Sequence, residues 1–176
     1  HDTTRLGEAA PLMRRALEID ERSYGNDPPN VAIRLNNLAQ LLQDTNRLGE
    51  AEPLMRRALE ISERSYGNEH PDVAIRLNNL ARLLQDTNRL GEAEPLMRRM
   101  ALIVLRFTVA TGHPHPHLRV MLNNYASLLQ AWKGEQPPGP GILSLGPEAG
   151  MTEAKFQEIL AQAFGGLCAR QGAFAP

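Results

Sequence analysis

Apolar residues recur along this chain at helical spacing. Val31, Leu35, Leu38, Ala39 and Leu42 fall at i, i+4, i+7, i+8 and i+11, which is one face of a helix. Leu48, Ala51, Met55, Ala58, Leu59 and Ile61 mark a second such stripe. The stretch "YGNEHPDV" (66–73) separates the second kind of helix from the next first helix: Gly67 suits a helix end and Pro71 a first turn. Asp72 then sits where the helix N-terminal partial charge favours an anion. Pro53 and Pro95 fall inside the second helix, where each removes a backbone hydrogen bond and predicts a bend near the start. Strand patterns are absent.

The pattern is a tandem repeat. "RLGEAAPLMRRALEIDERSYGNDPPNVAIRLNNLAQLLQDTN" (5–46) returns as residues 47–88, with six of 42 positions changed. A third copy starts at Arg89, holds through "RLGEAEPLMRR", drifts, and recovers as "HPHLRVMLNNYASLLQ" at an offset of 45. "DTTR" at the start matches "DTNR" at 44–47, so the chain opens inside a copy and reads as a fragment of a longer protein. Two amphipathic helices per copy cannot bury their apolar faces alone, which predicts stacking of neighbours.

Leu35, Leu38, Ala39 and Leu42 in the first helix, with Ala51, Met55, Ala58 and Leu59 in the second, resemble a tetratricopeptide repeat. "HPDVA…LNNLA" and "EAEPLMRRALEI" resemble the 42-residue variety of kinesin light chains and many bacterial repeat proteins. A HEAT-like helix pair is the rival, and the small Ala39 and Ala58, placed for close helix approach, favour the first reading. The resemblance covers roughly 5–132. It implies an all-α fold, a right-handed α-α superhelix of antiparallel helix pairs with a C-terminal capping helix. The expected organisation is repeats over 1–133, a Pro/Gly-rich linker over 134–150, and an amphipathic helix and tail over 151–176.

A pair of asparagines recurs in the middle of each first helix, at Asn36–Asn37, Asn78–Asn79 and Asn123–Asn124. Asn is a poor helix-interior residue, because its amide competes for backbone hydrogen bonds. With the leucines turned to the partner helix, the asparagines share the other face with Gln40, Gln43 and Asp44, then Arg82, Gln85 and Asp86, then Ser127 and Gln130. In the family that face lines the inner surface of the superhelix. Asparagines matching Asn37, Asn79 and Asn124 hold ligand backbones there, offering donors and an acceptor together. Asn36, Asn78 and Asn123 are the less direct candidates. The other reading is that the amides bond a neighbouring helix and set repeat stacking. One of the six changed positions, Gln40 against Arg82, lies on this face, and Arg82 suits an acidic side chain of a ligand.

Composition narrows the rest. A formal charge of −1 gives no general attraction to nucleic acid or acidic membranes, and no apolar run approaches the ~20 residues of a membrane span. A single cysteine, Cys168, excludes an intrachain disulfide framework and fits a reducing, cytoplasmic setting. "HPHPH" brings His113, His115 and His117 together, but His115 aligns with the loop residue His70 and no cysteine or carboxylate cluster joins them. No metal or other cofactor is expected. The arginine pairs 14–15, 56–57 and 98–99 have glutamates four residues away, Glu52 for Arg56 and Glu94 for Arg98, which reads as a solvated, paired face. No phosphate loop, nucleophile elbow or catalytic carboxylate pair occurs, so an enzyme is not indicated.

The last copy departs from the others. In a gapless alignment Glu60, Ser62, Glu63 and Ser65 become Leu102, Val104, Leu105 and Phe107, a new apolar surface that something must cover. "MTEAKFQEILAQAFGGL" reads as a further helix, with Thr152 as N-cap and Met151 with Phe156 as a hydrophobic staple. Its apolar face is Phe156, Ile159, Leu160, Ala163, Phe164 and Leu167, and Gly165–Gly166 ends it. This helix is expected to cap the new surface. The competing placements are a helix lying in the groove of its own or a neighbouring chain, and a homodimer formed through the apolar face. The function so implied is a protein-interaction scaffold binding a peptide or partner segment in its groove. The alternative is a self-association or spacer array within a larger signalling protein.

Overall fold

The computed structural model describes residues 2–25, 29–132 and 142–164. Among them are eight α-helices, one 3-10 turn and no strand. The helices are α1 (Asp2–Tyr24), α2 (Pro29–Asp44), α3 (Leu48–Tyr66), α4 (Pro71–Asp86), α5 (Leu90–Thr111), α6 (Leu118–Ala131), α7 (Leu145–Glu148) and α8 (Glu153–Phe164). The chain divides into two compact units, His1–Leu83 and Leu84–Pro176.

In the first unit α2 packs against α1 and extensively along α3. The predicted stripe of α2 is the core: Val31, Leu35, Ala39 and Leu42 are fully buried and Leu38 nearly so. Ala51, Met55, Ala58 and Ile61 do the same for α3. Gly67 ends α3 at φ 85, its N–H donating to the Glu63 carbonyl at 2.9 Å. The "DTN" turn that closes α2 puts Asn46 in the left-handed region at φ 58, and Arg47 N–H reaches back to the Leu42 carbonyl at 2.7 Å. At the start of α4, the His70 Nδ1 accepts the Asp72 backbone N–H at 3.1 Å. The imidazole thereby satisfies one of the orphan donors of the helix N-terminus. Helices α3 and α5 run through Pro53 and Pro95.

In the second unit α5 packs on α6. The extra residues of the third copy lengthen a helix rather than a loop, since α5 has 22 residues against 19 in α3. Its Gly112 caps at φ 71. Val104 and Leu105 are fully buried, while Leu102 and Phe107 are half-buried. One premise needs correction: Ser62, aligned with Val104, is itself 1% exposed, so only part of this surface faced water in the earlier copy.

Two features at the C-terminal end differ from expectation. Residues 142–150, read as linker, carry a 3-10 turn (Ile142–Ser144) and α7, with Ile142 and Leu145 buried. Four residues of α7 are too few for a periodic signal. Helix α8 starts as expected, the Thr152 Oγ1 accepting the Lys155 N–H at 3.4 Å and Phe156 fully buried. It packs on α6 and α7, however, and it is α7 that meets α5. Gly146 lies close against α8, where an added Cβ would stand 2.5 Å from the Phe156 ring. Residues 133–141 and 165–176, with the side chains of Ala163 and Phe164, lie outside the described set.

Candidate protein-interaction surface

The polar face of α2 and α4 is built from side chains that the leucine stripes force away from the core. Burial separates the asparagines. Asn36 and Asn78 are 4% and 7% exposed, Asn79 is 9% exposed, and Asn37 is exposed. A buried amide requires partners. The Asn79 Nδ2 donates to the Asn36 Oδ1 at 2.9 Å, and the Asn78 Nδ2 donates to the Asn79 Oδ1 at 3.5 Å. The link therefore joins the first asparagine of one copy to the second asparagine of the next.

Beside Asn79 lies a polar depression of about 240 Å³, lined by Gln40, Gln43, Asp44, Asn79 and Arg82. Gln40 and Arg82, the one changed pair on this face, both border it. Its volume is below the ~300–1,000 Å³ of pockets that enclose a small molecule, and it suits one or two side chains of a larger partner. In the second unit Asn123 is exposed, and Asn124 and Gln85 are half-buried. Asn36, Asn37 and Asn78 are not among the residues that line the depression.

The outer helices carry the arginines. Arg56 pairs with Glu52 at 2.7 Å as expected, and Arg14 with Glu50 and Arg57 with Glu21 join α1 to α3 at 2.7 and 2.6 Å. The His115 Nδ1 accepts the His117 N–H at 3.2 Å, and its ring meets Phe107 edge-on at 5.4 Å. His115 thus repeats the turn-capping role of His70. Among the described residues no group of three His, Cys, Asp or Glu could hold a metal ion. Within the same set no helix is long and apolar enough to cross a membrane.

The tetratricopeptide repeat model matches residues 1–64 and again 35–100. The chain belongs to the tetratricopeptide repeat family. Among solved structures it is similar to BtubC (BKLC) from P. vanneervenii, with a TM-score of 0.69 and 23% identity over 92% of this chain. It spans 59% of the BtubC chain. It is also similar to a Podosopora anserina kinesin light chain with nearly identical TPR-like repeats, with a TM-score of 0.64 and 20% identity. That match covers 98% of this chain and 83% of the other. No curated protein matches the sequence. The repeats are thus of the tetratricopeptide, kinesin-light-chain-like kind, and helices packing in successive pairs are the fold these structures share.

Within this tetratricopeptide chain the third copy holds a polar contact that the sequence reading missed. Tyr125, which stands where earlier copies have Leu38 and Leu80, is fully buried and donates from its hydroxyl to the Glu94 carboxylate at 2.7 Å. Burial, followed by the bond to Glu94, pushes the Tyr125 phenol far above its ordinary value. Glu94 is 3% exposed. Its expected partner Arg98 instead holds Glu148 at the end of α7, and Arg106 adds a bond to the Glu148 carbonyl at 3.5 Å. The exchange has a cause: a buried tyrosine hydroxyl demands an acceptor, and α7 offers Arg98 another carboxylate. The Leu-to-Tyr change was the available signal.

Proposed function

We propose that this chain is a non-catalytic protein-interaction module of the cytoplasm. A peptide or partner segment lies along the polar face of its first helices, in the groove of a tetratricopeptide superhelix. Tetratricopeptide repeats generally serve as scaffolds. The observation that carries the reading is the depression lined by Gln40, Gln43, Asp44, Asn79 and Arg82. It combines amide donors and acceptors with one charge of each sign, and it contains Gln40 and Arg82, one of the six pairs that vary between two nearly identical copies.

The asparagines divide between two tasks. Asn36 takes part in stacking one copy on the next through its bond to Asn79, and Asn78 supports the Asn79 amide from the same helix. Asn79 shares its amide between Asn36 and the depression, while Asn37 adds an exposed amide to the first unit; Asn123, Asn124 and Gln85 offer polar side chains on the second unit. A homodimer through Leu102, Val104, Leu105 and Phe107 has little to bury, because Val104 and Leu105 are already covered within one chain.

A peptide array probed with the whole chain tests the reading. Arg82→Gln, which restores the residue of the preceding copy, should change which peptides are retained without shifting the melting temperature. Retention of no peptide above background, or an identical profile for Arg82→Gln and for Asn37→Ala, would turn the reading towards a spacer array.

A further inference from the structure

Arg34 and Arg76 hold the same place in two successive copies, each closing the segment "VAIR" near the start of a first helix. Their surroundings differ. The Arg34 Nε donates to the Asp20 Oδ2 at 2.9 Å, an ion pair between α2 and α1. In the next copy Ser62 stands where Asp20 stands, one of the six changed positions. Ser62 is 1% exposed and brings no charge. The Nε of Arg76, the atom with which Arg34 holds its carboxylate, is enclosed and has no hydrogen-bond partner among the described residues. Asp72, one turn earlier on α4, has its carboxylate 3.6 Å from the His70 Nδ1. Burial lowers the Arg76 pKa below its ordinary value, against the opposing influence of Asp72 and Tyr66.

A guanidinium that has already lost part of its water gains more from a carboxylate than a fully hydrated one does. We propose that Arg76 is a docking point for an aspartate or glutamate side chain of a partner protein, which takes the role that Asp20 has beside Arg34. Arg76 is half-buried, so the acid meets its outward edge. Tyr66, whose field reaches Arg76, is 41% exposed, and its ring stacks on His70 with centroids 4.6 Å apart. An exposed ring thus offers the partner apolar contact next to the charge. A carboxylate is favoured over a phosphate because the neighbouring copy supplies one at the same place, through an Nε bond. Arg76 does not line the polar depression, so this site stands apart from the one proposed above, and its failure would leave that reading in place.

The probe is capped tetraglutamate, titrated into the full chain while the arginine Nε–H resonances are followed by NMR. The Arg76 signal is assigned through its loss in Arg76→Gln. That signal should move saturably with tetraglutamate, less so in high salt, and stay in place with capped tetraglutamine. Arg76→Gln should weaken tetraglutamate binding about five-fold or more. Ser62→Asp returns the carboxylate of the preceding copy to Arg76 and should suppress the shift. If that buried substitution prevents folding, Arg76→Gln decides. A stationary Arg76 signal overturns the proposal. So does equal movement of every exposed arginine, which marks non-specific attraction, or movement of Arg82 alone, which places the acid in the depression instead. Inorganic phosphate that shifts Arg76 at the same concentration as tetraglutamate overturns the choice of a carboxylate.

Discussion

The Nδ2 of Asn79 donates to the Oδ1 of Asn36 at 2.9 Å, two buried amides 43 positions apart in sequence. Each lies on a first helix of a successive copy, so one side-chain bond ties the register of α4 to that of α2. Asn36→Ala should leave the Asn79 amide buried and short of an acceptor, at about 1–3 kcal/mol. In a double-mutant cycle by urea unfolding, Asn36→Ala and Asn79→Ala should couple by about 1 kcal/mol. Additive losses would remove the bond from any account of stacking.

Tyr125 and Glu94 form a buried polar contact in the second unit. Tyr125→Phe keeps the ring and removes a hydroxyl that donates to a carboxylate that is 3% exposed. A loss of about 2 kcal/mol is expected by chemical denaturation, within the range for a hydrogen bond to a charged group.

The same tyrosine sets an alkaline limit. Its folded-state pKa is raised above the ordinary value of 10.0. Above pH 10 the unfolded chain gives up this proton while the folded chain keeps it. The contribution is therefore complete below that pH and is lost as pH rises beyond it. Unfolding titrations should show stability falling above pH 10 more steeply in the parent chain than in Tyr125→Phe. Equal slopes would mean that the hydroxyl ionises in place.

Gly146 faces the Phe156 ring so closely that a methyl group has no room, its Cβ falling 2.5 Å from a ring carbon. Gly146→Ala should cost about 1–3 kcal/mol through displaced packing of α7 against α8. Adding Phe156→Leu should recover part of that loss, and an unaffected Gly146→Ala would show that the ring swings aside freely.

Glu148→Gln is the contrasting case. It weakens the hold of Arg98 on α7, but both side chains are partly exposed, at 27% and 36%. The loss should stay near 0.2–1 kcal/mol and shrink in high salt.

The helical fold was legible because its signal is local and repeated. Val31 to Leu42 show a helical period, Gly67 and Pro71 punctuate it, and a near-identical second copy removes chance as an explanation. Thr152 and Phe156 marked α8 by the same local chemistry. The site was legible only in part. Gln40, Gln43, Asp44 and Arg82 could be assigned to the polar face by elimination, yet nothing in their spacing said that Asn79 would turn to Asn36.

What the sequence alone determined is which residues form helices, which stripe of each is apolar, and that copies must stack to bury those stripes. Tertiary structure decided which amide found which partner, that Glu94 turned to Tyr125 while Arg98 turned to Glu148, and that α7 rather than α8 covers α5. The reason is physical. Helix formation and amphipathicity follow from near neighbours and a fixed period, whereas a buried polar group selects among acceptors that distant parts of the chain bring within 3 Å.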